Sequence, residues 1–385
     1  GSIIAMKIAL LGFGVVGSGA YEIIASQPEC GITVKRALVQ TMRPGPVDGL
    51  LTTDMADILD DPEIELVAEA MGGLEPAYRY VLAALRAGKH VVTANKLLVC
   101  QRFRELNQAA AESGVQFRYT ASAGGGIPWL FNLLRAKRLD EIQEISGCIN
   151  GTSNFILGNM HKYRASFERV LSEAQRMGYA EADPSADIDG LDLQRKCAIS
   201  ASLAFSMVVE EQDVLTAGIR HITKEDIEWA EAHGMICKQM MHCKKVPDGI
   251  SAYVEPTFLP NTLPEANLPV RSSIASLYGK YVGRLTFFGA GAGTLPTGMN
   301  MMQDVMDVMA GVGKLHVYTQ PARIFNQEES HPYYVRCPGP LPKVQEQGDG
   351  WAVIGPMPVE EMHQLAKEKE AAGIPVFFAG LAQEA

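Results

Sequence analysis

The chain has 385 residues, 47% hydrophobic and 20% charged, which excludes a disordered chain and asks for more than one core. Its formal net charge is −10, with no basic run, which excludes a partner gripped through nucleic-acid phosphates. Seven cysteines without a Cys-x-x-Cys pair read as reduced thiols and hence as a cytoplasmic protein, and no apolar run approaches the ~18 residues of a membrane span. Gly1-Ser2 reads as a remnant of protease cleavage, with Met6 as the native start.

Lys7 to Leu11 is a short apolar run that leads straight into Gly12-Phe13-Gly14-Val15-Val16-Gly17. A helix is predicted over 18–27 and a strand over 32–39. Strands at 64–70, 90–93 and 115–120 then alternate with helices at 75–87 and 103–113. That alternation predicts an α/β fold, a Rossmann-type doubly wound parallel sheet, over residues 6–130. After about residue 130 the rhythm changes. A strand at 142–149 precedes helices at 164–177 and 190–209, which flank an acidic loop. A helix at 224–234 leads into strands at 236–246 and 250–258. Three prolines mark a crossing at 260–269, and a strand pair follows near 273–289. A turn, Gly289 to Gly293, then precedes a Met-rich helix at 298–310. The mixed order predicts an α+β domain over 131–289. Residues 313–385 are less regular, with strands at 331–337, 351–354 and 376–379 and a helix at 359–372.

The glycine turn has the context that a dinucleotide site requires: a strand before it and a helix opening on it. Gly12 permits the tight turn, Gly14 lets the backbone approach a pyrophosphate, and Gly17 lets helix and strand pack closely. The helix N-terminus presents free N–H groups to the phosphates. NAD calls for a carboxylate at the end of the second strand. Here the strand runs out as Val39-Gln40-Thr41-Met42-Arg43. Arg43 is suited to a 2′-phosphate, which favours NADP over NAD; it reads equally well as a solvated loop residue.

Six further segments carry a resemblance. They are Met71-Gly72-Gly73 with Pro76, Thr93-Ala94-Asn95-Lys96, Ser122 to Pro128, Asn150 to Leu157, Gly178 to Pro184 continuing to Asp187, Gly190, Asp192 and Lys196, and Gly289 to Thr297. In this order and spacing the chain resembles homoserine dehydrogenase from about residue 7 to about 312. The resemblance implies NAD(P)-dependent interconversion of L-aspartate 4-semialdehyde and L-homoserine, in threonine and methionine biosynthesis, by a homodimer. It also implies that the chain returns to the first domain at 290–312, with Gly293 beside the cofactor.

By the same resemblance Lys196 is the proton donor, Asp192 its partner, and Lys96 a second cation that reaches nicotinamide and substrate. Glu181, Asp187, Gly151 and Thr152 line the substrate, while Thr93, Met71 and Gly72 line the cofactor. Without it, Asp192 and Lys196 are an i,i+4 ion pair, Lys96 is a loop lysine, and the carboxylates around Glu181 form a solvated turn. His233, Cys237, His242 and Cys243 fit no closed zinc spacing.

Two positions depart from the family pattern. Thr120 stands where a glutamate borders a monovalent-cation site, so a sodium ion would rest on the backbone carbonyls of Ala123, Gly125 and Ile127 alone. Gly298 replaces the alanine after Pro-Thr. The 313–385 extension is a degenerate remnant of an amino-acid-sensing ACT domain, so threonine feedback by that route is not expected. Two alternatives stand beside the dehydrogenase: a reductase of another small semialdehyde, and a non-catalytic nucleotide-binding sensor.

Overall fold

The computed structural model describes residues 4–269, 271–313 and 318–382. Gly1-Ser2 and parts of the 313–385 extension lie outside the described residues. The chain divides into two compact units, one of Gly1–Arg135, Phe205–Val208 and Ala290–Pro321, the other of Ala136–Ala204, Val209–Gly289 and Ala322–Ala385.

The first unit opens with β1 (Met6–Leu11), α1 (Val15–Ala25), β2 (Ile32–Leu38), β3 (Leu51–Thr52), α2 (Ala56–Leu59) and β4 (Ile64–Glu69). It continues with α3 (Ala77–Arg86), β5 (His90–Thr93), α4 (Lys96–Gln101), α5 (Phe103–Ser113), β6 (Phe117–Arg118) and α6 (Trp129–Ala136). Its strands run in the order β3-β2-β1-β4-β5-β6, and every pairing is parallel. The order reverses between β1 and β4, so the glycine turn after β1 sits at the topological switch point, where ligands of such sheets bind. β1 is buried at all positions but Lys7, as a strand covered on both faces must be. The strand expected over 115–120 is only Phe117–Arg118, because the chain turns at Tyr119 into a 3-10 turn, Thr120–Ser122.

The second unit begins with β7 (Ile142–Cys148), α7 (Gly151–Tyr163), α8 (Phe167–Arg176), α9 (Ser185–Ile188) and α10 (Leu191–Phe205). Then come β8 (Leu215–Thr216), α11 (Lys224–Ala232), β9 (Met235–Val246), β10 (Gly249–Pro260), β11 (Ser272–Gly279) and β12 (Gly283–Ala290). α7 is a helix that the sequence reading misses. It opens on Gly-Thr-Ser-Asn, a poor helical start, and Asn150 rescues it: its side-chain oxygen accepts from Ser153 N at 2.8 Å. Part of the predicted acidic loop is α9.

The chain next forms α12 (Thr294–Met309) in the first unit. It then builds β13 (Ser330–Arg336), β14 (Val344–Gln347), β15 (Ala352–Pro358), α13 (Val359–Ala371) and β16 (Phe377–Leu381). These last strands are regular. β16 joins β10 in parallel and β13 antiparallel, so they continue a mixed sheet of order β12-β11-β7-β9-β10-β16-β13-β15-β14, with β8 on β10. Phe155, Leu157, Ile227, Trp229, Phe258, Tyr334 and Phe377 share its core, so residues before and after α12 bury each other; each large apolar side chain contributes ~1.5–3 kcal/mol.

α12 starts four residues earlier than the sequence predicts. Met301, Met302, Val305, Val308 and Met309 pack with Ile8, Leu10, Leu66 and Val92 in the first unit's core. The approach to α1 is close: a Cβ on Gly19 would stand 2.6 Å from Thr294 Cγ2, and one on Gly298 would stand 3.0 Å from Ala20 N. The Gly298 departure thus serves helix packing.

Asp304, on the same helix, accepts from Thr120 N at 2.9 Å and Thr120 Oγ1 at 2.7 Å. Burial nonetheless pushes its carboxyl up from 3.8 to about 7, with the Thr120 bonds pulling back. The folded state therefore holds a proton that the unfolded chain releases, and stability falls as pH rises from about 4 to about 7, then levels. Asp304→Asn should abolish that component of the fall, on the order of 4 kcal/mol. Denaturant unfolding between pH 4 and 8 checks it: a variant with the wild-type slope refutes the assignment.

Candidate active site

In the first unit the glycine turn lines a cleft of about 700 Å³ that Met71, Gly72 and Tyr80 also line. Gly12 has φ +96°, and a Cβ there would stand 3.0 Å from the Ala70 carbonyl oxygen. A Cβ on Gly17 would run into the Gly12 carbonyl oxygen, whereas one on Gly14 would meet no protein atom within 4 Å. The backbone at Gly14 is thus bare toward the cleft. α1 has Gly14 as its N-cap and no side-chain cap, so the N–H groups of its first turn are open to an anion. Val15 is exposed there, while Phe13 turns its ring edge-on to Tyr21 at 5.6 Å. These features fit a pyrophosphate. Arg43 lies across the turn, donating from Nη2 to the Phe13 carbonyl at 2.7 Å, and it lines the cleft beside Gln40 and Thr41.

The strand ends below this cleft are tied by a residue the sequence reading overlooks. Glu69, the last residue of β4, is fully buried. Its carboxylate accepts from Thr93 Oγ1 at 2.6 Å, Asn95 Nδ2 at 3.2 Å and Met71 N at 3.1 Å. Burial raises its pKa, and these donors oppose the rise. The Thr93 hydroxyl is therefore spent on Glu69. Asn95 also donates to Gly73 O at 2.6 Å and caps α4 by accepting from Leu98 N. Lys96 is thereby the first residue of a capped helix rather than a loop lysine, half-buried at the carboxyl edge of the sheet. The available signal is a charge that ends the apolar run Leu66-Val67-Ala68.

Gly293, with φ +117°, is the N-cap of α12. Of the three carbonyls considered for sodium, those of Gly125 and Ile127 accept from Asn300 Nδ2, at 2.6 and 3.2 Å.

In the second unit the N-cap of α7, the short α9 and α10 bring together Asn150, Asp187, Asp192 and Lys196. Asp192 and Lys196 are only 6% and 8% exposed, so the surface ion pair allowed by their spacing is a buried one. Lys196 Nζ lies 2.8 Å from Asp192 Oδ2 and donates to the Ile149 carbonyl at 2.6 Å. Asn150 Nδ2 donates to Asp187 Oδ1 at 2.7 Å and Asp192 Oδ2 at 2.9 Å. Desolvating two charges costs several kcal/mol per ion, which holds only with such surrounding bonds. One asparagine thus caps α7 with its oxygen and joins two carboxylates with its nitrogen. Gly151 and Thr152 form the first turn of α7, and Thr152 Oγ1 donates to the Tyr179 carbonyl at 2.9 Å. That bond anchors the loop on which Glu181 is exposed. A fixed ammonium beside fixed carboxylates can deliver a proton and bind an amino-acid ammonium.

Among the described residues no group of three His, Cys, Asp or Glu is placed to hold a metal ion, and no helix is long and apolar enough to cross a membrane.

Comparison with known proteins places the chain in a family. The family model described as homoserine dehydrogenase matches residues 128–306, and its NAD-binding-domain model matches 12–120. A homoserine dehydrogenase of Bacillus subtilis (strain 168) is 40% identical over 316 residues, 79% of this chain and 73% of that one. The crystal structure of a homoserine dehydrogenase from Thiobacillus denitrificans superposes with TM-score 0.87 at 30% identity, covering 99% of each chain. A hyperthermophilic archaeal homoserine dehydrogenase in complex with NADPH shares the fold, with TM-score 0.70 at 20% identity over 81% of this chain and all of that one. The chain belongs to the homoserine dehydrogenase family.

Proposed function

We propose that this NAD(P)-dependent oxidoreductase interconverts L-aspartate 4-semialdehyde and L-homoserine with Lys196 as the proton donor. The observation that carries the assignment is the burial of Lys196 between Asp192 and the Ile149 carbonyl. The coenzyme, when bound, supplies and takes back the hydride. The turn Gly12 to Gly17 and the first turn of α1 hold its pyrophosphate, with Met71, Gly72, Thr93 and Gly293 on its surroundings. Lys196 gives a proton to the aldehyde oxygen as charge develops there and takes it back in the oxidation of homoserine. Asp192 keeps the ammonium of Lys196 in place, and Asn150 keeps Asp192 in place. Glu181 and Asp187 grip the substrate ammonium, Gly151 and Thr152 border it, and Lys96 adds a second positive charge for the developing alkoxide.

NADP is the preferred coenzyme. No carboxylate occupies residues 39–43 after β2, Arg43 lines the cleft at that point, and the archaeal relative was solved with NADPH. A cytoplasmic homodimer working in threonine and methionine biosynthesis completes the reading. Support for the dimer comes from β12, an edge strand of the mixed sheet that leaves Leu285 and Phe288 exposed. Support for the compartment comes from seven free cysteines.

Two variants test this. Lys196→Met should lower turnover of L-homoserine, followed by nicotinamide absorbance, at least ~100-fold while coenzyme affinity stays unchanged. Near-normal kcat would remove Lys196 from its role. Arg43→Ala should raise KM for NADP ~tenfold and leave NAD nearly unaffected. Equal losses with both coenzymes would refute the 2′-phosphate assignment.

A further inference from the structure

We propose that Asn300 takes the place of a monovalent cation in the first unit, so that this chain neither binds nor needs one at the 123–127 turn. The side-chain nitrogen of Asn300 has two hydrogens, and the turn offers two carbonyl oxygens to them, Gly125 O at 2.6 Å and Ile127 O at 3.2 Å. Asn300 is only 4% exposed, so a cation entering there would have to expel a buried amide from two hydrogen bonds, with little water to replace them. Position 120 is threonine rather than a carboxylate, and the Asp304 carboxyl, from which burial withholds charge, is already engaged with that threonine's N–H and hydroxyl.

The geometry also explains how a neutral side chain suffices. Asn300 and Asp304 are one helical turn apart on α12, hence on one face, and they grip the 120–127 segment at its two ends. The segment is closed on its other side. A Cβ on Gly125 would collide with the Gly291 carbonyl group, a Cβ on Gly126 would stand 2.8 Å from Pro296 Cβ, and Gly126 N donates to Ala290 O at 3.0 Å. Asn300 is thus a positioning residue for the turn that faces 290–296. The inference concerns the first unit alone and stands apart from the Lys196 assignment.

The test compares sodium, potassium and tetramethylammonium chloride at fixed ionic strength, reading the melting midpoint and kcat with L-homoserine. A bound cation would raise the melting midpoint as the logarithm of its concentration. Wild type should show the same midpoint and kcat in all three salts. A saturable rise in either with sodium or potassium overturns the proposal. Asn300→Asp turns an acceptor oxygen toward the two carbonyls and so creates a demand for a cation. It should melt several degrees lower than wild type in tetramethylammonium and regain stability in sodium or potassium. A folded Asn300→Asp indifferent to the salt overturns the assignment of Asn300 to a cation's position. Should that variant not fold, Asn300→Ala serves. It should melt below wild type in tetramethylammonium and recover partly in sodium or potassium; a wild-type midpoint in tetramethylammonium, or no recovery, counts against the proposal.

Discussion

The close approach of α12 to α1, with Gly19 against Thr294 and Gly298 against Ala20, lets a segment distant in sequence complete the nucleotide-binding unit. Its methionines fill the core beneath β1 and β4, while Asn300 and Asp304 reach the turn after β6. One helix thus supports both the helix that opens on the glycine turn and the segment that follows the last strand of the sheet. Larger side chains at the two glycines would push the helices apart, and close packing of this kind relaxes only partially.

The second unit solves a different problem. It removes an ammonium and a carboxylate from water and must keep them charged and still. The buried pair is tolerable because polar neighbours are turned to it: the Ile149 carbonyl accepts from the lysine, and Asn150 donates to the aspartate. α10 is buried over most of its length from Asp192 to Ala204, which leaves the pair little freedom to swing.

Much of this was legible in the residues. The strand, the glycine turn and the following helix at 7–27 state their geometry locally, because steric freedom at Gly12 and close approach at Gly17 are properties of a few adjacent residues. The motif segments carried the family, since several of them fit in order and spacing. What escaped was long-range. Glu69 looks like any strand-end charge until Thr93 and Asn95 arrive from the next strand. Asn150 was read as part of a motif, yet its hydrogen bonds span from residue 153 to residue 192. Helix α7 lacks a strong start and rests on that asparagine's cap and on the burial of Phe155, Ile156, Leu157 and Met160. The regularity of the C-terminal strands depends on β10, some 120 residues upstream of β16, and no local pattern announces such a pairing.

The buried carboxylate of Glu69 has a thermodynamic consequence. Its oxygens draw in donors from its own turn at Met71 and from the end of β5 at Thr93 and Asn95, so the strand ends are frozen against one another before any ligand arrives. The torsional entropy of that edge is surrendered during folding. A dinucleotide settling on it meets a surface already set, and its association loses freedom chiefly from its own flexible bonds.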